Sequence, residues 1–211
     1  MINAICRLGF VVISMVIFIA ARDHPGTILF LGDSITAGYG LDVSQAYPDL
    51  IQKKIDRKGW NFKVVNAGQS GDTTAGGLSR LDWLLNNRID VLVIELGGND
   101  GLRGLPVGEM QKNLQAIIDR TRARYPDAKI IIAGMKVPPN FGGEYGRRFE
   151  AVFPDLAKKN HAPLVPFILE GVGGLRELNL ADGIHPTAKG HEIVAENVWK
   201  VLEPVLRSLN G

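Results

Sequence analysis

One cysteine, Cys6, stands in 211 residues, so no intrachain disulfide can form and no Cys-rich metal site can assemble. Charge of one sign is scarce as well. Lys and Arg total 24 against 22 Asp and Glu, a formal net charge of +2. The basic residues are scattered rather than striped, which excludes a nucleic-acid footprint. Nucleotide signatures are missing, with neither a Walker A loop nor a Gly-x-Gly-x-x-Gly turn. His191-Glu192 begins like a zinc-protease helix, but position 195 is alanine rather than the second histidine such a site needs. No repeat, low-complexity tract or linker breaks the chain. With 45% hydrophobic and 22% charged residues, it has the balance of a single globular domain and not of a disordered protein.

The one long hydrophobic run lies at the start. Leu8 to Ala21 is apolar apart from Gly9 and Ser14, and Arg7 is the only charge in residues 1–21. As a helix these 14 residues span about 21 Å, short of the roughly 30 Å hydrocarbon core. Residues 1–21 are therefore expected to be a signal peptide for export to the periplasm or beyond. An uncleaved N-terminal membrane anchor, with the membrane proximity it brings, is the alternative. Ala20-Ala21 offers small residues for cleavage, although Phe18 or Ile19 then occupies the −3 position. The folded domain is expected over residues 26–210.

Downstream, five short apolar runs recur: Ile28–Leu31, Val64–Val65, Val91–Leu96, Ile130–Ala133 and Leu164–Phe167. Most are continuous rather than alternating, as in parallel strands covered on both faces. Helical spacing fills the intervals. Leu50, Ile51 and Ile55 mark one stripe, and Leu78, Leu81, Leu84 and Leu85 the next. Leu114, Ile117, Ile118 and Thr121 form a third, and Phe149, Val152, Phe153 and Leu156 a fourth. A last helix is expected from about Ala188 to Leu209. Strand and helix alternating in this way predict right-handed βαβ units: one α/β domain of three layers, α/β/α, around a five-stranded parallel sheet.

Such sheets bind ligands beyond the carboxyl ends of their strands, so the residues just past each run matter most. Gly32-Asp33-Ser34-Ile35-Thr36 succeeds the first and Asn66 to Thr73, with Gly71, the second. Gly97-Gly98-Asn99-Asp100 succeeds the third, and Asp182-Gly183-Ile184-His185-Pro186 lies beyond the fifth. Singly, each has an ordinary structural explanation: a helix-capping serine, a turn asparagine, an exposed histidine. Together on one rim they compose a nucleophilic site. Ser34 at a strand-to-helix turn needs a base, and His185 is the best placed of four histidines. Asp182, three residues earlier, can hold the imidazole Nδ1 and leave Nε2 for Ser34. The Ser34 N–H, the Gly71 N–H and the Asn99 carboxamide are candidate donors to a developing oxyanion. A Cβ at position 71 would be expected to block close approach of substrate. Asp33 is expected to be a structural carboxylate bonding loop N–H groups, and His24 and His161 are assigned no role. Trp60, Trp83 and Trp199 are expected at helix edges or in the core.

These four blocks resemble those of the GDSL, or SGNH, hydrolases, over nearly the whole chain after residue 26. Gly101-Leu102-Arg103-Gly104-Leu105 and Pro138-Pro139-Asn140-Phe141-Gly142 are similar to the bacterial branch that holds thioesterase I/lysophospholipase L1 and small arylesterases. The resemblance implies a flavodoxin-like SGNH fold, with Ser34 as nucleophile, His185 as base and Asp182 as third triad member. It also implies Gly71 and Asn99 as oxyanion donors, and hydrolysis of esters, thioesters and lysophospholipids with no metal or cofactor. The partner is then a small-molecule ester or thioester. The loops after the third and fourth strands carry Leu102, Leu105, Pro138 and Phe141, an apolar lining suited to an acyl chain or aryl group. The reading from a different class is a noncatalytic flavodoxin-like module that binds FMN or phosphate.

Overall fold

The computed structural model describes residues 24–138, 140 and 142–210. The export segment 1–21 and the expected substrate contact Phe141 lie outside the described residues.

All five apolar runs form strands, because Val, Ile and Leu packed on both faces favour extended chain in a buried sheet. They are β1 (Gly26–Gly32), β2 (Phe62–Gly68), β3 (Val91–Glu95), β4 (Lys129–Ala133) and β5 (Leu164–Val165). Every pairing is parallel, in the order β2-β1-β3-β4-β5. The strand β5 stops short of the expected Phe167. Pro166 has no N–H for the ladder, and the chain instead bonds through Ile168 N to Gly134 O at 2.9 Å.

The long helices match the apolar stripes: α2 (Tyr47–Arg57), α3 (Thr74–Leu84), α5 (Val107–Arg124), α6 (Gly143–Asn160) and α7 (Ala188–Asn210). They cover the sheet on both sides as the three layers require. Thr121, the polar member of its stripe, is buried and satisfies its hydroxyl on the Ile117 carbonyl at 2.8 Å. Two short helices carry too few residues to show a period: α1 (Ser34–Ala37) and α4 (Gly98–Leu102). His161 has a use that its sequence context does not announce, closing α6 in the left-handed conformation at φ 49°. Trp60 and Trp199 pack ring to ring at 6.1 Å, whereas Trp83 is exposed.

The order 2-1-3-4-5 reverses direction between β1 and β3, and a ligand crevice forms at such a switch point. In register, Gly32 of β1 faces Gly68 on one side and Glu95 of β3 on the other. The strand ends therefore align, and the turns beyond them share one rim. That rim holds α1 after β1 and α4 after β3.

Candidate active site

At the end of β1 the chain turns at Asp33, whose Oδ1 accepts from the Ile35 N–H at 3.0 Å and caps α1. This is the structural use expected of it. Ser34, the first residue of α1, is buried, and its Oγ lies 2.9 Å from His185 Nε2. His185 Nδ1 lies 2.7 Å from Asp182 Oδ2. The spacing of three works because the loop folds tightly on itself. Asp182 Oδ1 accepts from the N–H groups of Ile184 at 2.9 Å and His185 at 3.0 Å. Leu180 N donates to His185 O at 2.7 Å, and Asn179 bridges Pro186, so the loop is a miniature hairpin. A hydroxyl bonded to an imidazole whose other nitrogen meets a carboxylate can lose its proton as it attacks an electrophile.

The Asp182 carboxyl is lowered to about 2, first by the His185 N–H, then by the imidazole and the Ile184 N–H. It stays ionised at any pH where the protein works. A depressed carboxyl adds stability that is present above its unfolded pKa of about 4. That stability is lost as pH falls toward 2. With its side chain 37% exposed, solvent screens most of this energy.

Of the three expected oxyanion donors, Asn99 is tied through Asp33 to the turn that carries Ser34 and through Asp72 to the turn that carries Gly71. Neither the Ser34 nor the Gly71 backbone N–H meets a protein acceptor among the described residues. Asn99 does: its Nδ2 donates to Asp33 Oδ2 at 3.1 Å and to the Asp72 carbonyl at 2.9 Å. The backbone gives Gly71 a further reason beside the expected approach of substrate. A Cβ there would meet only the Arg103 guanidinium at 3.8 Å, but φ is +85°, which disfavours any side chain.

Sequence reasoning missed several neighbours. Asp72 pairs with Arg80 at 2.6 Å, and Arg80 also donates to the Gly32 carbonyl at 3.0 Å, bracing the Gly71 turn against β1. Arg103 donates to the Gly71 carbonyl at 2.9 Å. The Tyr39 ring lies 4.4 Å from that of His185, centroid to centroid. Glu95, read as part of an apolar run, is buried beside Asp33. An acid inside six otherwise apolar residues was the signal that could have found it.

Of the expected substrate contacts, Leu102 ends α4, Leu105 comes three residues later, and both are exposed, as is Pro138 beyond β4. Two clefts of about 470 and 410 Å³ lie elsewhere. The first, lined by Arg88, Arg124 and Lys129, sits at the amino ends of β3 and β4. The second runs beside β2 and Trp83. Neither includes a residue of the Ser34 constellation.

Comparison with known proteins agrees with this geometry. The family model described as "GDSL-like Lipase/Acylhydrolase family" matches residues 30–193. The Esterase TesA of Pseudomonas aeruginosa is 46% identical over 181 residues, covering 85% of this chain and 89% of that protein. The Thioesterase 1/protease 1/lysophospholipase L1 of Escherichia coli is 37% identical over 203 residues, 95% of this chain and 93% of that one. Among solved structures, the psychrotrophic esterase EstA from Pseudoalteromonas sp., inhibited by monoethylphosphonate, superposes with a TM-score of 0.81. It is 34% identical, over 86% of this chain and 99% of that one. With its four blocks gathered on one rim and these relatives matched almost end to end, the chain belongs to the GDSL-like lipase/acylhydrolase family.

Proposed function

We propose that the protein is an exported serine ester hydrolase acting through an acyl-serine intermediate on carboxylic esters or thioesters with an apolar acyl or aryl group. The observation that carries this reading is the line from Ser34 Oγ to His185 Nε2 at 2.9 Å and from Nδ1 to Asp182 at 2.7 Å. Ser34 Oγ adds to the substrate carbonyl while its proton passes to His185 Nε2. The tetrahedral oxyanion is held by the N–H groups of Ser34 and Gly71 and by Asn99. His185 then gives its proton to the departing alcohol or thiol, and the acyl group stays on Ser34. Water repeats the sequence and releases the acid. Each step uses the chain's own groups. Leu102, Leu105 and Pro138 offer the apolar surface for the acyl or aryl group, and the family names of the relatives support both esters and thioesters.

The test is turnover of p-nitrophenyl esters of rising acyl length beside the matching acyl-CoA thioesters, with and without EDTA. Hydrolysis insensitive to EDTA is expected. Flavin absorbance bands in the purified protein with no turnover would overturn the reading in favour of a binding module. Asp182→Asn should lower kcat by roughly 10³-fold, less than the ~10⁴ lost when a fully buried triad carboxylate is replaced. Asp182 is 37% exposed, so water can take up part of its role. A kcat within a few-fold of wild type would remove Asp182 from the mechanism.

Export is supported by the apolar run behind Arg7. The mature protein recovered from the periplasm should begin near Arg22 by mass spectrometry. Met1 on a soluble cytoplasmic form would count against both signal and anchor.

A further inference from the structure

Glu95 is a buried acid on the central strand of the sheet. It ends β3, is 1% exposed, and lies in register with Gly32 of β1. Its Oε2 accepts from the Thr36 hydroxyl at 2.7 Å and, weakly, from the Asp33 N–H at 3.4 Å. Thr36 in turn meets the Tyr47 hydroxyl at 2.8 Å. Gly32 makes this possible: a Cβ there would fall 1.9 Å from Thr36 Oγ1 and 2.8 Å from Glu95 Oε2. The Asp33 carboxyl lies near enough for its charge to act on Glu95. The Oε1 of Glu95 is buried and has no hydrogen-bond partner among the described residues. A charged oxygen left so would be costly, and more so beside a second carboxylate.

We propose that Glu95 is a positioning residue for the hydrolytic site, holding the Asp33–Thr36 turn through the Thr36 hydroxyl and the Asp33 N–H so that the Asp33 carboxylate holds the Asn99 carboxamide beside Ser34. The inference rests on the serine-hydrolase reading. Asp33 spends Oδ1 on the Ile35 N–H at 3.0 Å and Oδ2 on Asn99 at 3.1 Å. Both bonds need an anionic, fixed acceptor. Burial and then the Asp33 charge push Glu95 well above the carboxylate range. Burial brings Asp33 only to about 6, with its hydrogen bonds, the Glu95 contact and His185 opposing the rise. Tyr47 faces the pair from α2, its phenol raised by burial and by Glu95. His191 from α7 stacks on Tyr47 at 6.3 Å, takes the Tyr47 N–H on Nδ1, and is lowered to about 4 by burial. It is neutral at working pH, so it supplies no cation to offset a second negative charge.

A carboxyl raised in the folded state favours folding below its unfolded pKa, and that contribution is lost as pH rises through the folded value. Wild-type Tm should therefore fall faster than that of Glu95→Gln as pH increases. Glu95→Gln keeps an oxygen that accepts from the Thr36 hydroxyl and the Asp33 N–H, whereas Glu95→Leu removes it.

The experiment measures kcat, KM and Tm for both variants in wild-type and Asn99→Ala backgrounds. Glu95→Leu should lower kcat by roughly 10–100-fold through loss of alignment, with KM little moved. Glu95→Gln should recover to within about fivefold of wild type, and in the Asn99→Ala background Glu95→Leu should cost almost nothing further in kcat. Two results would overturn the inference: a Glu95→Leu loss confined to Tm, or a kcat loss that persists undiminished without Asn99. Should Glu95→Leu not fold, a Glu95→Gln whose Tm tracks wild type across the alkaline range would overturn it as well. Failure of the underlying reading looks different, since wild type itself would then show no turnover dependent on Ser34.

Discussion

Ser34→Ala should abolish turnover while leaving the fold intact, with kcat falling by roughly 10⁶-fold toward the residue that oxyanion donors and binding alone sustain. No other group can take its place. The hydroxyl of Thr36, two residues along α1, is buried and committed to Glu95 at 2.7 Å and Tyr47 at 2.8 Å. The stability change should be small, because the substitution deletes one hydrogen bond, that to His185. A bond of this kind contributes about 1 kcal/mol, or about 2–4 °C in Tm for a domain of this size. A fluorophosphonate probe reports the same chemistry directly. Ser34 Oγ forms the P–O bond, fluoride leaves, and the adduct adds one label to wild type and none to the variant. Persistent labelling of Ser34→Ala would place the nucleophile elsewhere in the chain.

Ser34 and His185 could be paired from sequence although they stand 151 positions apart. Parallel strands bring their carboxyl ends to one edge, so residues just beyond apolar runs become neighbours without any local signal. Asp182 and His185 were legible for the opposite reason, since their spacing closes a tight loop by itself. The short helices α1 and α4 were not legible, because four or five residues carry no 3.6-residue period. The end of β5 depended on Pro166, whose missing donor breaks the ladder inside an apolar run. The polar layer beneath the rim was the hardest part to foresee. Asp33 meets Asn99 across 66 positions, and Glu95 meets Thr36 across 59. An acid inside an apolar run flags such a residue, but the hydrophobic pattern does not name its partners. The Gly71 conformation was similarly hidden, since composition shows a glycine but not whether space or φ demands it.

Asn99→Ala should lower kcat by roughly 10²–10³-fold, about 3–4 kcal/mol of transition-state stabilisation, while KM stays nearly constant. The geometry explains the split. Both carboxamide hydrogens are engaged before substrate arrives, one on the Asp33 carboxylate and one on the Asp72 carbonyl. A neutral ester carbonyl is no better an acceptor than the Asp72 carbonyl, so the ground state gains little from Asn99. A developing oxyanion is charged, and hydrogen bonds to charged acceptors are roughly twice as strong as neutral ones. It can draw the second hydrogen from the Asp72 carbonyl while Asp33, itself charged, keeps the first. The donor is thus used chiefly when the barrier is crossed, which raises kcat without tightening substrate binding. Some stability is lost too, because two acceptors forfeit a donor at a cost of about 1–3 kcal/mol for each buried group. Tm alone therefore cannot distinguish a catalytic Asn99 from a turn residue. Fluorophosphonate labelling can, since attack at phosphorus also builds charge on an oxygen. Labelling of Asn99→Ala should slow in parallel with kcat at temperatures well below its Tm. A variant with lowered Tm but near-normal kcat and labelling rate would leave only the Ser34 and Gly71 N–H groups to hold the oxyanion.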